Sequence, residues 1–316
     1  MSAPNTTGLT VEGASRAAPP KKGLLSRHPL TSFFLLAFAL TWLAWSPWYL
    51  SEAGVELLPY DGGKLEVLWN TIGLVLGPAL SAFVVTGASE GREGVGRLLR
   101  RIVLWRVKLR WYAFALLVVP AVVLLCAAVM PGAIASFDAA AVPSALFLYV
   151  VAGFVYLFIG GPVFEEIGWR GFALPYLQPL YGPLAGSVII GVLWGLWHLP
   201  LFLIPSWDTP HSSPLDVVLF VVLAVANAIV YTWMFNNTKG SVLLAILLHG
   251  SANIGIATAY DLFPVPTVTE GFANFVIGFA ALALVILVLT GGRLGYRQDT
   301  SPGLVAHGRP PSPAGR

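Results

Sequence analysis

Residues 144–170 read SALFLYVVAGFVYLFIGGPVFEEIGWR and join a long apolar run to a cluster of charges. The run Leu146–Phe164 is nearly long enough to cross a bilayer as a helix, which takes about 20 residues. Two adjacent carboxylates, Glu165 and Glu166, follow it directly, and Arg170 comes one helical turn later. Ionisable groups at membrane depth are costly, so they persist where they are paired, face the protein interior and serve a function. This stretch therefore predicts a membrane protein with a buried polar site.

The composition of the whole chain also indicates a polytopic membrane protein. Of its 316 residues, 57% are hydrophobic and only 10% are charged, whereas soluble domains carry about 25% charged residues. The single cysteine, Cys126, excludes an internal disulfide framework. The chain contains no phosphate-cradling glycine loop, CxxC pair or HExxH sequence. Although the net charge is +3, we expect no nucleic-acid partner, because the basic residues follow a membrane topology.

Eight apolar runs are long enough, or nearly so, to span a bilayer. They are Leu30–Leu50, Leu68–Ala88, Trp111–Met130, Ser144–Phe164, Leu184–Ile204, Pro214–Phe235, Ser241–Ala259 and Phe272–Leu289. The segments 1–26 and 298–316 lack a periodic apolar pattern, and their composition predicts disordered tails. We therefore expect an all-α fold with about eight transmembrane helices, in one domain over residues 27–297.

The basic residues predict the orientation of these spans. Eight spans place both termini on one side, and all 18 Lys and Arg residues except Lys64 then lie on that side. Such asymmetry marks the cytoplasmic face, so we expect a multi-pass protein of the plasma (cytoplasmic) membrane with both ends in the cytoplasm.

The loop 89–110 holds much of this basic charge. Its apolar and basic residues alternate at helical spacing, which predicts an amphipathic helix that lies on the membrane and attracts anionic lipid. Recruitment of an acidic partner is the alternative. The apolar positions are Val95, Leu98, Leu99, Ile102 and Val103, and the basic ones are Arg92, Arg97, Arg100, Arg101, Arg106, Lys108 and Arg110.

If residues 165–170 are helical, the two carboxylates have different roles. Glu166 and Arg170 are four residues apart, so they share a face and can form an ion pair. Glu165 points about 100° away and is left for other chemistry. Taken alone, the segment also fits a hydrated helix end at the cytoplasmic surface.

Two further apolar runs each carry a histidine. His198 follows Trp194 by four residues, a spacing that lets the indole and imidazole rings stack. His249 and Asn253 share one helical face, and their side chains are suited to holding a carbonyl oxygen as it gains negative charge. Each pair could instead be a hydrogen-bonding contact between helices. Together with Glu165 they form a candidate water-activating site.

These residues resemble the motifs of the CPBP (Abi) intramembrane glutamic endopeptidases, relatives of the type II CAAX prenyl endopeptidases. Glu165–Arg170 matches the EExxxR motif, and His249–Asn253 matches HxxxN. Trp194–His198 matches the family's motif of an aromatic residue followed by histidine, with tryptophan in place of the commoner phenylalanine. The motifs occur in the family's order within a core at 165–253. The family's eight-span architecture is similar to the one predicted here.

The resemblance implies a role for each position. Glu165 and His198 would hold and deprotonate a water molecule, while His249 and Asn253 would stabilise the oxyanion. Glu166, Arg170 and Trp194 would support the site. The substrate would be a peptide or membrane protein cut near the cytoplasmic surface, and no cofactor is expected.

Two alternatives stay open. Glu165, His198 and His249 could bind zinc, although their spacing fits no familiar zinc signature. The same polar cavity could also serve a non-catalytic binding, immunity or scaffold protein, or a proton-coupled transporter. Whether a substrate is prenylated, and how many copies of the chain assemble, are not determined by these motifs.

Overall fold

The computed structural model of the protein describes residues 23–207, 209–211, 213–263 and 268–297. Within these ranges the chain forms helices and connecting turns, without a β-strand. A helical turn at Leu24–Arg27 precedes the first long helix. Eight helices are long and apolar enough to cross a membrane. They are α1 (Pro29–Tyr49), α2 (Gly62–Ile102), α3 (Leu109–Ala128), α4 (Ala139–Ile159), α5 (Pro162–Leu203), α6 (Pro214–Asn237), α7 (Val242–Leu262) and α8 (Val268–Thr290).

The predicted all-α fold with eight membrane-length helices is confirmed. The predicted tails fall almost entirely on residues 1–22 and 298–316, which lie outside the described residues. Helices α2 and α5 are about twice as long as a single span, with 41 and 42 residues. Each is interrupted by a glycine with positive φ, Gly91 at 65° in α2 and Gly182 at 80° in α5. Glycine adopts this conformation without the steric cost that a Cβ atom would add.

The predicted fourth span, Ser144–Phe164, differs from the structure at its end. Helix α4 stops at Ile159, Gly161 has a φ of 109°, and Pro162 begins the next helix. Proline suits a first helical position, because its φ is already helical and its missing N–H has no partner there. Glu165 and Glu166 consequently lie in the first turns of α5 and do not end the fourth helix.

Helix α7 occupies the centre of the bundle. In its most apolar stretch 72% of residues are buried, compared with 17% for α4. Small residues on α7 let its neighbours approach, because a Cβ at Gly250 would lie 2.2 Å from Leu157 of α4. The outer faces of the bundle carry exposed large apolar side chains, as expected for a surface that contacts lipid. Examples are Leu35, Leu43, Leu117, Leu125, Phe154, Leu284 and Val285.

Two helix-to-helix contacts use backbone carbonyls that lie in π-helical turns four residues before a proline. Proline has no N–H for the carbonyl four residues earlier. Four residues before Pro120, the carbonyl of Leu116 accepts a hydrogen bond of 2.8 Å from the Tyr149 hydroxyl of α4. These polar links satisfy backbone groups in an apolar surrounding, where an unsatisfied group is costly.

The second such carbonyl belongs to Gly171, four residues before Pro175. It accepts a hydrogen bond of 3.2 Å from Arg101 Nη1 at the end of α2. Arg101 therefore ties the end of α2 to the first half of α5.

Hydrogen bonds between helix ends show which ends of the bundle lie together. The end of α2 meets the α6–α7 turn, where the Ser241 hydroxyl donates to the Leu104 carbonyl at 2.6 Å. The end of α6 meets the end of α8, where Asn236 Nδ2 donates to the Leu294 carbonyl at 3.1 Å. Lys64, at the start of α2, lies at the opposite end of the bundle, beside the end of α1.

Candidate active site

Helix α5 brings Glu165 and His198 to the same level by folding back on itself at Gly182. Glu165 lies 17 residues before this bend and His198 lies 16 residues after it. Each arm is therefore roughly 25 Å long. Near the bend the arms pack closely, because a Cβ at Gly186 would lie 3.3 Å from Leu177. At the far end the Trp194 indole N–H donates a hydrogen bond to Glu165 Oε2. One bent helix thus supplies the carboxylate, the indole and the first imidazole.

Glu165 is buried, with 3% of its surface exposed. It lies in the first turn of α5, where the positive end of the helix dipole stabilises a carboxylate. Its second oxygen, Oε1, packs against Gly161, where an added Cβ would lie only 2.4 Å away. Gly161 is therefore needed both for its positive φ and for the space that the carboxylate occupies.

The tautomer of His198 follows from its hydrogen bond. Nδ1 lies 2.8 Å from the carbonyl oxygen of Trp194. Since a carbonyl only accepts, Nδ1 carries the hydrogen, and in the neutral ring Nε2 keeps its lone pair. The ring packs edge-on against Trp197, with centroids 4.7 Å apart, and interacts electrostatically with Glu165 and His249.

The predicted stacking of Trp194 on His198 does not describe this contact. Their ring centroids are 6.2 Å apart and the planes are tilted by 56°. The backbone carbonyl of Trp194, together with the Trp197 ring, holds the imidazole instead. The four-residue spacing therefore orients His198 through the main chain.

Glu166 forms the predicted pair with Arg170, at 3.0 Å between Nη1 and Oε1. Both side chains are fully buried. The same Oε1 also accepts a hydrogen bond from His249 Nδ1, again at 3.0 Å, so Glu166 links α5 to α7. This third member was not predicted from the sequence, because His249 lies 83 residues away in the chain.

Aromatic rings connect the two groups of the site. The Arg170 guanidinium lies over the rings of Trp194 and Tyr231, 5.0 and 4.8 Å from their centroids. The His249 ring meets the Trp194 ring edge-on at 5.2 Å. Such cation–π and edge contacts hold a charged side chain among apolar neighbours. The Trp194 ring therefore contacts both the Glu165 carboxylate and the Arg170 and His249 partners of Glu166.

Asn253 stands at the edge of this cluster. It lies one turn beyond His249 on α7, and its Nδ2 donates a hydrogen bond of 3.2 Å to the Tyr156 hydroxyl of α4. Its side chain is half-buried. The structure thus joins Glu165, Trp194 and His198 in one group and Glu166, Arg170 and His249 in a second, while Asn253 is held by α4.

Tyr231 is a site residue that was not predicted from the sequence. It is fully buried on α6, with its ring 5.8 Å from that of His249 and 6.1 Å from that of Trp194. Its hydroxyl has no hydrogen-bond partner among the described residues. No sequence motif marks it, since one tyrosine in an apolar helix is an ordinary core residue.

A zinc site would need three ligating side chains close together. In the part of the chain that the structure describes, no three His, Cys, Asp or Glu residues are grouped so that they could hold a metal ion. The site offers a buried carboxylate and an imidazole with a lone pair, both hydrogen-bonded to Trp194, and such groups can exchange protons with a bound water.

Fold and site together define a class of protein, a multi-pass α-helical membrane protein that encloses a glutamate–histidine site. Comparison with known proteins makes this more specific. Residues 144–255 match the family model described as Type II CAAX prenyl endopeptidase Rce1-like. The chain is 26% identical to CAAX prenyl protease 2 of Methanococcus maripaludis over 262 residues, which cover 80% of this chain and 92% of the relative. Both matches confirm the resemblance to the CAAX/CPBP-type family that the three motifs predict.

Proposed function

We propose that the protein is an intramembrane endopeptidase that hydrolyses a peptide bond in a membrane-associated peptide or protein by means of a water activated by Glu165 and His198. The observation that supports this most directly is the bend of α5, which brings Trp194 to the Glu165 carboxylate, while the Trp194 carbonyl orients His198. The family match over residues 144–255 supports a protease of the CAAX type.

The first step is the activation of water. The Trp194 N–H occupies Glu165 Oε2, and this bond leaves Oε1 to accept a proton from water. The lone pair on His198 Nε2 can accept a second hydrogen bond from the same molecule. A general base in this position contributes typically about 10²- to 10⁴-fold to rate.

The second step is stabilisation of the oxyanion that forms when water attacks the carbonyl. In our proposal His249 and Asn253 donate to this oxygen. Because His249 Nδ1 is bonded to Glu166, its donor toward substrate is Nε2–H, which requires the imidazolium form. That form also balances the charges, since Glu165 and Glu166 are then matched by Arg170 and His249 in an apolar interior.

The substrate proposal follows the name of the relative, a CAAX prenyl protease. We propose a membrane-associated protein substrate for this chain and leave prenylation to the assay. Two peptides of identical sequence, one prenylated and one not, separate recognition of the lipid from recognition of the peptide. Equal cleavage of both would show that the prenyl group is not required.

The test of the mechanism is Glu165→Gln in the purified full-length protein. Glutamine keeps an acceptor for the Trp194 N–H but cannot take a proton from water, so we expect kcat to fall by about 10²-fold or more. The matched control is Glu93→Gln, the same change at an exposed position of α2. Full turnover in Glu165→Gln would overturn the proposal.

The same preparation distinguishes the metal mechanism. Without a resident metal, wild-type activity survives chelator treatment, and metal analysis finds no stoichiometric zinc. Loss of activity on chelation and recovery on zinc addition would favour a zinc site at Glu165, His198 and His249.

A non-catalytic role or a proton-coupled transporter makes the opposite prediction for cleavage. In that case the wild-type and Glu165→Gln proteins would process substrate peptides equally poorly. Solute uptake into vesicles would then depend on Glu165 if the cavity served transport.

A further inference from the structure

A cavity lies at the end of α2, on the residues that follow the break at Gly91. It measures about 240 Å³ and is lined by Arg97, Arg100, Arg101 and Leu104. The three arginines follow the break at Gly91, and Arg100 and Arg101 come three and four residues after Arg97, so both lie on its side of the helix. An open cavity with three guanidinium groups is a site for an anion.

The positive charge at this cavity is only partly neutralised. Glu90 pairs with Arg97, and its other oxygen accepts a hydrogen bond of 2.6 Å from the Tyr176 hydroxyl. Arg101 uses one donor on the Gly171 carbonyl. Arg100 is exposed and forms no ion pair among the described residues. One carboxylate therefore faces three cations.

Glu93, the other acidic residue on this part of α2, does not neutralise the positive charge at the cavity. Glu93, four residues before Arg97, is exposed and makes no ion pair within the described ranges. Guanidinium groups with free donors bind phosphate oxygens, often two at a time. The cavity thus has both the charge and the geometry for a phosphate group.

Exposed apolar side chains flank Leu104 in the chain and continue to the start of α3. Val103, Trp105 and Leu109 are 66%, 60% and 80% exposed. Tryptophan and long apolar residues next to arginines are typical of a helix that sits at the membrane interface. A soluble anion needs no such apolar edge, whereas the acyl chains of a phospholipid do.

We propose that this cavity binds the phosphate headgroup of an anionic phospholipid, with the acyl chains beside Val103, Trp105 and Leu109. The Arg101–Gly171 hydrogen bond connects the bound lipid to α5. This inference rests on the charge and exposure of α2 and does not depend on the peptidase proposal.

The experiment measures lipid retention by the full-length protein in native mass spectrometry. Phosphatidylglycerol and phosphatidylcholine with identical acyl chains are titrated separately. The site variant is Arg100→Gln, and the matched control is Arg92→Gln, which removes the same charge from an exposed position outside the cavity. Size-exclusion profiles verify that both variants stay folded.

We expect the wild type to retain phosphatidylglycerol in preference to phosphatidylcholine. Arg100→Gln should lower its apparent affinity about fivefold, since one basic residue near a membrane surface is worth about that factor, and Arg92→Gln should leave it within about twofold. Equal losses in both variants, or no lipid preference, would overturn the proposal. Displacement of the lipid by equimolar inorganic phosphate would also overturn it and assign the cavity to free phosphate.

Discussion

Buried polar side chains almost always have a hydrogen-bond partner, so a partnerless phenol in a protein interior calls for an explanation. Tyr231 is such a phenol, and its ring contacts Arg170 beside His249. In the peptidase we propose, its hydroxyl donates to the substrate carbonyl or to the activated water. The fold does not need this hydroxyl, because no described group bonds to it.

We therefore expect Tyr231→Phe to separate activity from stability. The change removes only a buried, unpaired hydroxyl, so the melting temperature should stay the same or rise slightly. The value of kcat should fall about tenfold if the hydroxyl contacts the reacting groups. Tyr181→Phe, at an exposed position near the α5 bend, is the control. Undiminished kcat in Tyr231→Phe would show that the phenol only fills space.

Single residues could be predicted from sequence where the contact is local. The spacing of Glu166 and Arg170 predicts their ion pair, because four residues separate neighbours on a helix. The bonds of Glu165 to Trp194 and of Glu166 to His249 depend on how helices meet in space. No spacing rule contains that information, so motifs could nominate these residues but could not pair them.

At the scale of helices, the bend in α5 is what places the site. A Cβ added at Gly182 would have nothing within 4 Å, so an alanine there would meet no neighbour. With a φ of 80° and a ψ of 166°, its backbone is nevertheless strained for any residue with a Cβ, at about 1–3 kcal/mol. The strain can be relieved only by moving one arm of α5 relative to the other.

We expect Gly182→Ala to lower stability by about 1–3 kcal/mol, because its backbone conformation suits only glycine. We expect kcat/KM to fall by about tenfold or more, because a displacement of about 1 Å at reacting groups is costly. Gly91→Ala is a closely matched control. It has a φ of 65° and equally open surroundings, but it lies in α2 away from the site. Thermal unfolding and peptide cleavage are measured for both. Similar activity losses in the two variants would indicate a general effect of strain.

The broken fourth span shows why helix ends were harder to predict than helices. Gly160, Gly161 and Pro162 carry the usual signals for stopping one helix and starting another. The apolar residues on both sides, however, continue without interruption to Phe164. Hydrophobicity reports membrane burial and does not register a break in the backbone, so it merged two helices into one run.

For the whole molecule, the number of helices and the distribution of charge were predictable from sequence. Each span is an independent apolar segment, and a bilayer admits few other structures. The structure adds that Lys64 and the arginine-rich end of α2 lie at opposite ends of the bundle. The positive-inside rule assigns the arginine-rich end to the cytoplasm. We therefore propose an orientation with both termini on that side.

Labelling with a membrane-impermeant maleimide tests this orientation in intact cells. Lys64→Cys should react from outside, whereas Arg92→Cys should react only after the cells are permeabilised. The wild type is the control, because its one thiol, Cys126, is buried against Gly278 of α8. The reverse labelling pattern would place both termini outside.

The folded-back α5 also limits how this chain can change in evolution. One extra residue in either arm would shift its reactive side chain by about 1.5 Å and swing it by about 100°. Deletions and insertions between Glu165 and His198 are therefore tolerable only as whole turns, matched on both sides of Gly182. In homologous chains, length changes between these two residues should therefore be equal in both arms of α5. The loops outside α5 should vary in length without this restriction.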